Sequence, residues 1–162
     1  MSSLARLIAA CALVLVFSLL TACRDSDDSV RTDPVTAENS ALRSAIDELA
    51  KIEQLPSKLG EQHNDPRAAR IVAAGTNAAP LLVARITDTT PSGVTELFSY
   101  TVGDIAHRLL CEIYQKPFLW PVADAKPIGE HPQTSFQDYI AFVSAPDGRE
   151  KLRRLWSEVI QK

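Results

Sequence analysis

The side chains able to do chemistry are few and mostly scattered: three histidines, His63, His107 and His131, and three cysteines, Cys11, Cys23 and Cys111. Only His107 has a reactive neighbour at helical spacing. Cys111 follows it by four residues and Asp104 precedes it by three, so all three fall on one face of a helix. Such a set could form an Asp-His-Cys relay that activates a thiolate, or part of a zinc site completed by His63 or His131. The relay requires an exposed, activated thiol, whereas Cys111 lies between Leu110 and Ile113 in an aliphatic run. The expectation is therefore a buried, inert cysteine, with Asp104 as a helix cap and His107 at the edge of the packed face. The cluster Asp25, Asp27 and Asp28 lacks the glycine and distal glutamate of a calcium loop. No G-x-S-x-G, H-E-x-x-H or glycine-rich phosphate loop is present. The residues thus point to a non-enzymatic protein with no catalytic residue, no cofactor and no metal.

The elements that would position these groups are helical. Leu42, Ala45, Ile46, Leu49 and Ile52 recur at three- and four-residue spacing and predict a first helix over 37–55, stopped by Pro56. Asp65-Pro66 opens a second helix with Ala68, Ile71 and Val72, ended by Gly75. Asn77 is expected to cap a third, carrying Leu81, Leu82, Ala84 and Ile86 and closed by Asp88. Residues 89–100 read as an irregular connection. Thr101-x-x-Asp104 is a capping box that opens the central helix, with Val102, Ile105, Ala106, Leu109, Leu110 and Ile113 on a broad buried face. Four prolines between 115 and 134 predict extended chain without a regular helix. Ser135-x-x-Asp138 caps a fifth helix, Pro146-Asp147-Gly148 breaks it, and Leu152, Leu155, Trp156 and Val159 give a sixth its apolar stripe. The fold class is all-α, a small domain of about six helices over residues 37–162.

The first 36 residues have a different composition. Leu7–Leu20 is an apolar run of 14 residues behind Arg6, shorter than the roughly 20 residues a permanent membrane span needs. It ends in Leu20-Thr21-Ala22-Cys23. This run resembles the signal peptide of a Gram-negative bacterial lipoprotein, and L-T-A-C resembles its lipobox. The resemblance implies cleavage between Ala22 and Cys23, a diacylglyceryl thioether on Cys23, and membrane attachment through that lipid. It divides the chain into a signal peptide, 1–22, a lipidated flexible tether, 23–36, and the helical domain. Arg24 stands where an aspartate retains enterobacterial lipoproteins in the inner membrane, which implies the outer membrane with the domain in the periplasm. Within the domain, Pro80, Leu81, Leu82, Ile86 and Asp88 followed by Val102, Ala106, Leu109 and Ile113 resemble one HEAT-type helical hairpin with a long link.

With the signal removed, 16 basic and 20 acidic side chains remain, a net charge of −4. Such a balance argues against nucleic-acid binding, which needs a basic stripe, and provides no polybasic membrane patch. Cys11 leaves with the signal and Cys23 carries lipid, so Cys111 is the one thiol left and no intramolecular disulfide can form. Phe98, Tyr100, Phe118 and Trp120 flank the central helix on irregular segments and are the candidate partner-binding residues. The function expected is an envelope-associated, protein-binding module. The alternative is a periplasmic immunity or inhibitor protein directed at a toxin or a cell-wall hydrolase.

Overall fold

The computed structural model describes residues 34–55, 60–95, 99–123 and 135–162. Pro56, Phe98, His131 and the signal and lipobox lie outside the described residues. Among the described residues there are seven α-helices: α1 (Pro34–Asp47), α2 (Pro66–Ala73), α3 (Ala79–Arg85), α4 (Val102–Ile113), α5 (Trp120–Ala123), α6 (Phe136–Ser144) and α7 (Gly148–Ile160). Among the described residues there is no strand, only an isolated antiparallel bridge between Pro91 and Thr101. The fold is all-α, as the periodicity predicts. Glu38–Lys162 forms one unit.

α4 is the axis of that unit. Every residue from Val102 to Glu112 except Arg108 is buried, and α2, α3 and the turn at Leu49–Lys51 pack against it. A helix buried this fully must still satisfy the amides of its first turn. Val102 N donates to the Thr90 carbonyl at 2.8 Å and Gly103 N to the Asp88 carbonyl at 2.9 Å. Asp104 N donates to the Thr101 hydroxyl, while Thr101 N donates back to the Asp104 carboxylate at 2.9 Å, which completes the capping box. Asp88 and Thr90 in the connection after α3 therefore close the N-terminus of α4.

Four local expectations are corrected. The first helix stops at Asp47, and the chain tightens into a 3₁₀ turn at Leu49–Lys51 before becoming extended at Ile52. The Ala50 carbonyl accepts from Gly93 N at 2.9 Å, so packing of the 88–101 connection takes an acceptor that a continuing helix would use. All five stripe residues are nevertheless buried. Asn77 does not cap α3: Gly75, at φ +56°, starts a 3₁₀ turn through Ala78 that feeds directly into the helix. Ala84, expected in the core, is exposed. The proline-rich segment does contain a helical turn, α5, because Pro121 falls in its first turn, where no intrahelical N–H is required. Trp120 N and Val122 N hold that turn through the carbonyls of Pro117 and Leu119.

Two glycines are set by close backbone approach. A Cβ on Gly148 would overlap the Phe142 carbonyl at the tight α6–α7 corner, where Asp147 adopts φ +59°. A Cβ on Gly103 would overlap the Ile86 carbonyl oxygen and come within 2.7 Å of Arg149 Nη1. Gly103→Ala is therefore expected to destabilise the protein by about 1–3 kcal/mol, since α4 would have to back away from the end of α3. Urea denaturation checks this, and an unchanged midpoint would contradict the packing.

Candidate functional site

Asp104, His107 and Cys111 share one face of α4, as their spacing predicts, but each is already committed. Asp104 is 3% exposed. Its carboxylate accepts from Thr101 N and the Thr101 hydroxyl, from the Tyr139 hydroxyl on α6 at 2.9 Å, and from Arg149 Nη2 on α7 at 3.2 Å. Burial alone would raise its pKa. The Thr101 amide and the Arg149 guanidinium outweigh that and hold the carboxyl below its ordinary value. Tyr139, buried against this carboxylate, has its hydroxyl pushed well above the ordinary phenol range.

His107 is not at the edge of the face but fully buried. The correction has a physical cause: both ring nitrogens find partners inside. Trp156 Nε1–H donates to Nδ1 at 2.8 Å, which leaves Nε2 to carry the proton and donate to the Phe118 carbonyl at 2.8 Å. Tyr139 stacks on the ring at 5.3 Å, Phe118 lies tilted against it at 4.7 Å, and Trp156 meets it edge-on at 5.8 Å. Burial pushes the imidazole down to about 4, so it is neutral at pH 7. Cys111 lies 3.7 Å from both ring nitrogens, and burial pushes its thiol up to about 12. A base with no free nitrogen beside a thiol this hard to ionise does not make a nucleophile. The triad is a structural knot, not a relay. His63 joins Glu112 instead of His107, and no group of three potential metal ligands occurs among the described residues.

The aromatic candidates divide. Tyr100 and Phe118 both pack on Phe136, and Phe118 also covers Tyr139 and His107, so both belong to the internal cluster. Trp120 packs edge-on against Trp156 at 5.4 Å and also faces outward. With Pro121, Phe142 and Leu155 it lines a groove of about 500 Å³ rimmed by Lys151, Arg154 and Glu158. Lys116 Nζ sits 4.7 Å above the Trp120 ring. Sequence reasoning passes over Phe142, Lys151, Arg154 and Leu155 as site residues, because they come together only when α6 and α7 fold back beside α5. A usable signal was Trp156: a tryptophan on a buried stripe needs an acceptor for its N–H, and His107 is the polar residue available on the buried face of α4.

No protein-family model matches this chain, and no curated protein or solved structure does either. The HEAT-like pairing of α3 with α4 thus has no structural neighbour to rest on, although the two helices do pack together.

The buried imidazole sets a pH dependence. The folded pKa lies below the ordinary 6.5, so the unfolded chain binds the proton more readily. Its contribution is nil above pH 6.5 and becomes destabilising as pH falls toward 4, by about 3 kcal/mol at pH 4. Thermal melts should therefore be flat from pH 8 to 6.5 and fall below that. His107→Gln should be less stable at pH 7 by about 1–3 kcal/mol yet show a flatter profile from 6.5 to 4. An equally steep profile in the variant would place the titrating group elsewhere.

Proposed function

We propose that the protein is a lipid-anchored, non-enzymatic envelope module that holds a partner protein beside the outer membrane of a Gram-negative cell. The observation that carries this reading is Leu20-Thr21-Ala22-Cys23 at the end of the Leu7–Leu20 apolar run behind Arg6. Two or three acyl chains on Cys23, each methylene contributing about 0.8 kcal/mol, suffice for stable anchoring. No helix among the described residues is long and apolar enough to cross a membrane. The reading therefore assigns attachment to the lipid. Arg24 in the sorting position supports the outer membrane, and the commitment of Asp104, His107 and Cys111 to internal bonds supports a binding role over chemistry at that site.

The groove beside Trp120 is the docking surface in this reading. Its floor is apolar and its edge carries two cations, Lys151 and Arg154, against one carboxylate, Glu158. An acidic segment of a partner protein with interspersed apolar side chains complements it. If that partner is a toxin or a cell-wall hydrolase, the module is an immunity or inhibitor protein.

Two measurements test the proposal. Cys23→Ala should abolish labelling by radioactive palmitate and release the protein from the membrane fraction; full labelling would end the lipoprotein reading. The double charge reversal Lys151→Glu with Arg154→Glu, at exposed positions, should reduce crosslinking to the partner in intact envelopes by about tenfold or more with an unchanged melting temperature. Undiminished crosslinking would move the docking surface away from this groove.

A further inference from the structure

On the side of α4 that meets α2, two polar side chains are buried without full hydrogen bonding. Glu112 is 4% exposed and His63 is 5% exposed at the side chain, with Nε2 of the histidine 3.1 Å from Oε1 of the glutamate. Gly60 N donates to the same oxygen at 3.4 Å. The imidazole is not aligned for a hydrogen bond to the carboxylate. Among the described residues, Glu112 Oε2 and both ring nitrogens of His63 have no hydrogen-bond partner. Buried polar groups left in this state are costly, so their presence together calls for an occupant that supplies donors.

The surroundings define that occupant. A cavity of about 500 Å³ opens beside the pair, walled by Val72 and Ala73 of α2, Ile113 at the end of α4, Gln115 just beyond it, and Gly75. Gly60 and Gly75 both have positive φ, and neither would meet an atom within 4 Å of an added Cβ, so the wall is open at both. Gln62 and Gln115 at the rim are exposed, with Gln115 Nε2 donating to the Glu112 backbone carbonyl at 2.6 Å. No lysine or arginine is among the lining residues. The floor therefore places a carboxylate oxygen and an imidazole nitrogen together, both without a hydrogen-bond partner. Two protein ligands fall short of the three or four that hold zinc, and the cavity is far larger than a bare ion needs.

We propose that this cavity binds an organic cation bearing N–H donors, an alkylammonium or guanidinium group, with Glu112 supplying the counter-charge and His63 the second acceptor. The apolar wall from α2 covers the carbon chain of the ligand. The cation comes either from a free small molecule or from a lysine or arginine side chain of a macromolecule. The site is separate from the groove beside Trp120 and does not depend on lipid anchoring.

The test is an NMR titration of the full chain in detergent, following the Gly60 amide and the His63 ring, with butylammonium, propylguanidinium and tetramethylammonium as probes. Butylammonium or propylguanidinium should saturate the site, and tetramethylammonium, with the same charge and no N–H, should bind at least about tenfold more weakly. Glu112→Gln keeps an acceptor for Gly60 N and should weaken binding of the N–H probes by about tenfold or more. Ala73→Phe, at an exposed wall position, should obstruct the cavity while leaving the polar pair intact. A dipeptide amide carrying lysine, binding more tightly than butylammonium, would identify a protein side chain as the source; weaker binding would identify a free amine. Absence of saturation by either N–H probe, equal binding of tetramethylammonium, or binding indifferent to Glu112→Gln would overturn the proposal. So would tighter binding of Zn²⁺ that displaces the amines.

Discussion

The Asp104 carboxylate, buried and charged, is the constraint around which this fold is built. Taking a carboxylate out of water costs several kcal/mol unless hydrogen bonds and an opposite charge replace the solvent. Here the replacements come from three places in the chain: Thr101 one turn before, Tyr139 on α6 and Arg149 on α7. Each partner restricts a different element, so one group sets the start of α4, the approach of α6 and the seating of α7. Apolar packing supplies the bulk of the attraction and tolerates many arrangements, whereas the carboxylate tolerates few. His107, one turn along, repeats the principle with a neutral group: its two nitrogens fix Trp156 and the Phe118 backbone at once.

What could be read from the sequence was what is local. Thr101 with Asp104, and Ser135 with Asp138, are capping boxes spanning three residues, and both form. Asp65-Pro66 starts α2 and its carboxylate accepts from Arg67 N and Ala68 N. The stripe of α1 buries Leu42, Ala45 and Ile46, and that of α7 puts Leu152 and Trp156 wholly inside while Leu155 and Val159 stay half-buried. The missing part is long-range. Nothing near Asp104 announces Tyr139 or Arg149, 35 and 45 residues away. His107 read as an edge residue because a lone polar side chain on a helix is usually solvated, and the acceptor and donor that bring it inside belong to segments 11 and 49 residues distant. Glu112 is invisible for the same reason, since the groups its carboxylate meets, Gly60 N and the His63 ring, lie far back along the chain.

The two polar knots of α4 differ in completeness, and that difference separates structure from function. The side chains of Asp104 and His107 have their own donors and acceptors matched, aromatic rings pack on them, and the thiol of Cys111 is shut away with them. Around Glu112 the matching is partial and space remains in front of it. A fully satisfied network rigidifies, and a partly satisfied one beside a cavity is disposed to receive something. The candidate sites therefore lie on the flanks of α4, where α2 and α7 meet solvent, rather than at its centre.

The ion pair between Asp104 and Arg149 also governs the order in which the molecule can be completed. The acid enters the core with α4, but the base that neutralises it arrives only with the last helix, 45 residues later. A chain that has produced α1 to α6 holds a carboxylate whose burial is still opposed by electrostatics, so its core stays loose until α7 docks. Docking of α7 is then a closing step that charges and packs the centre simultaneously. A nascent chain thus remains pliable through most of its length and locks at the end.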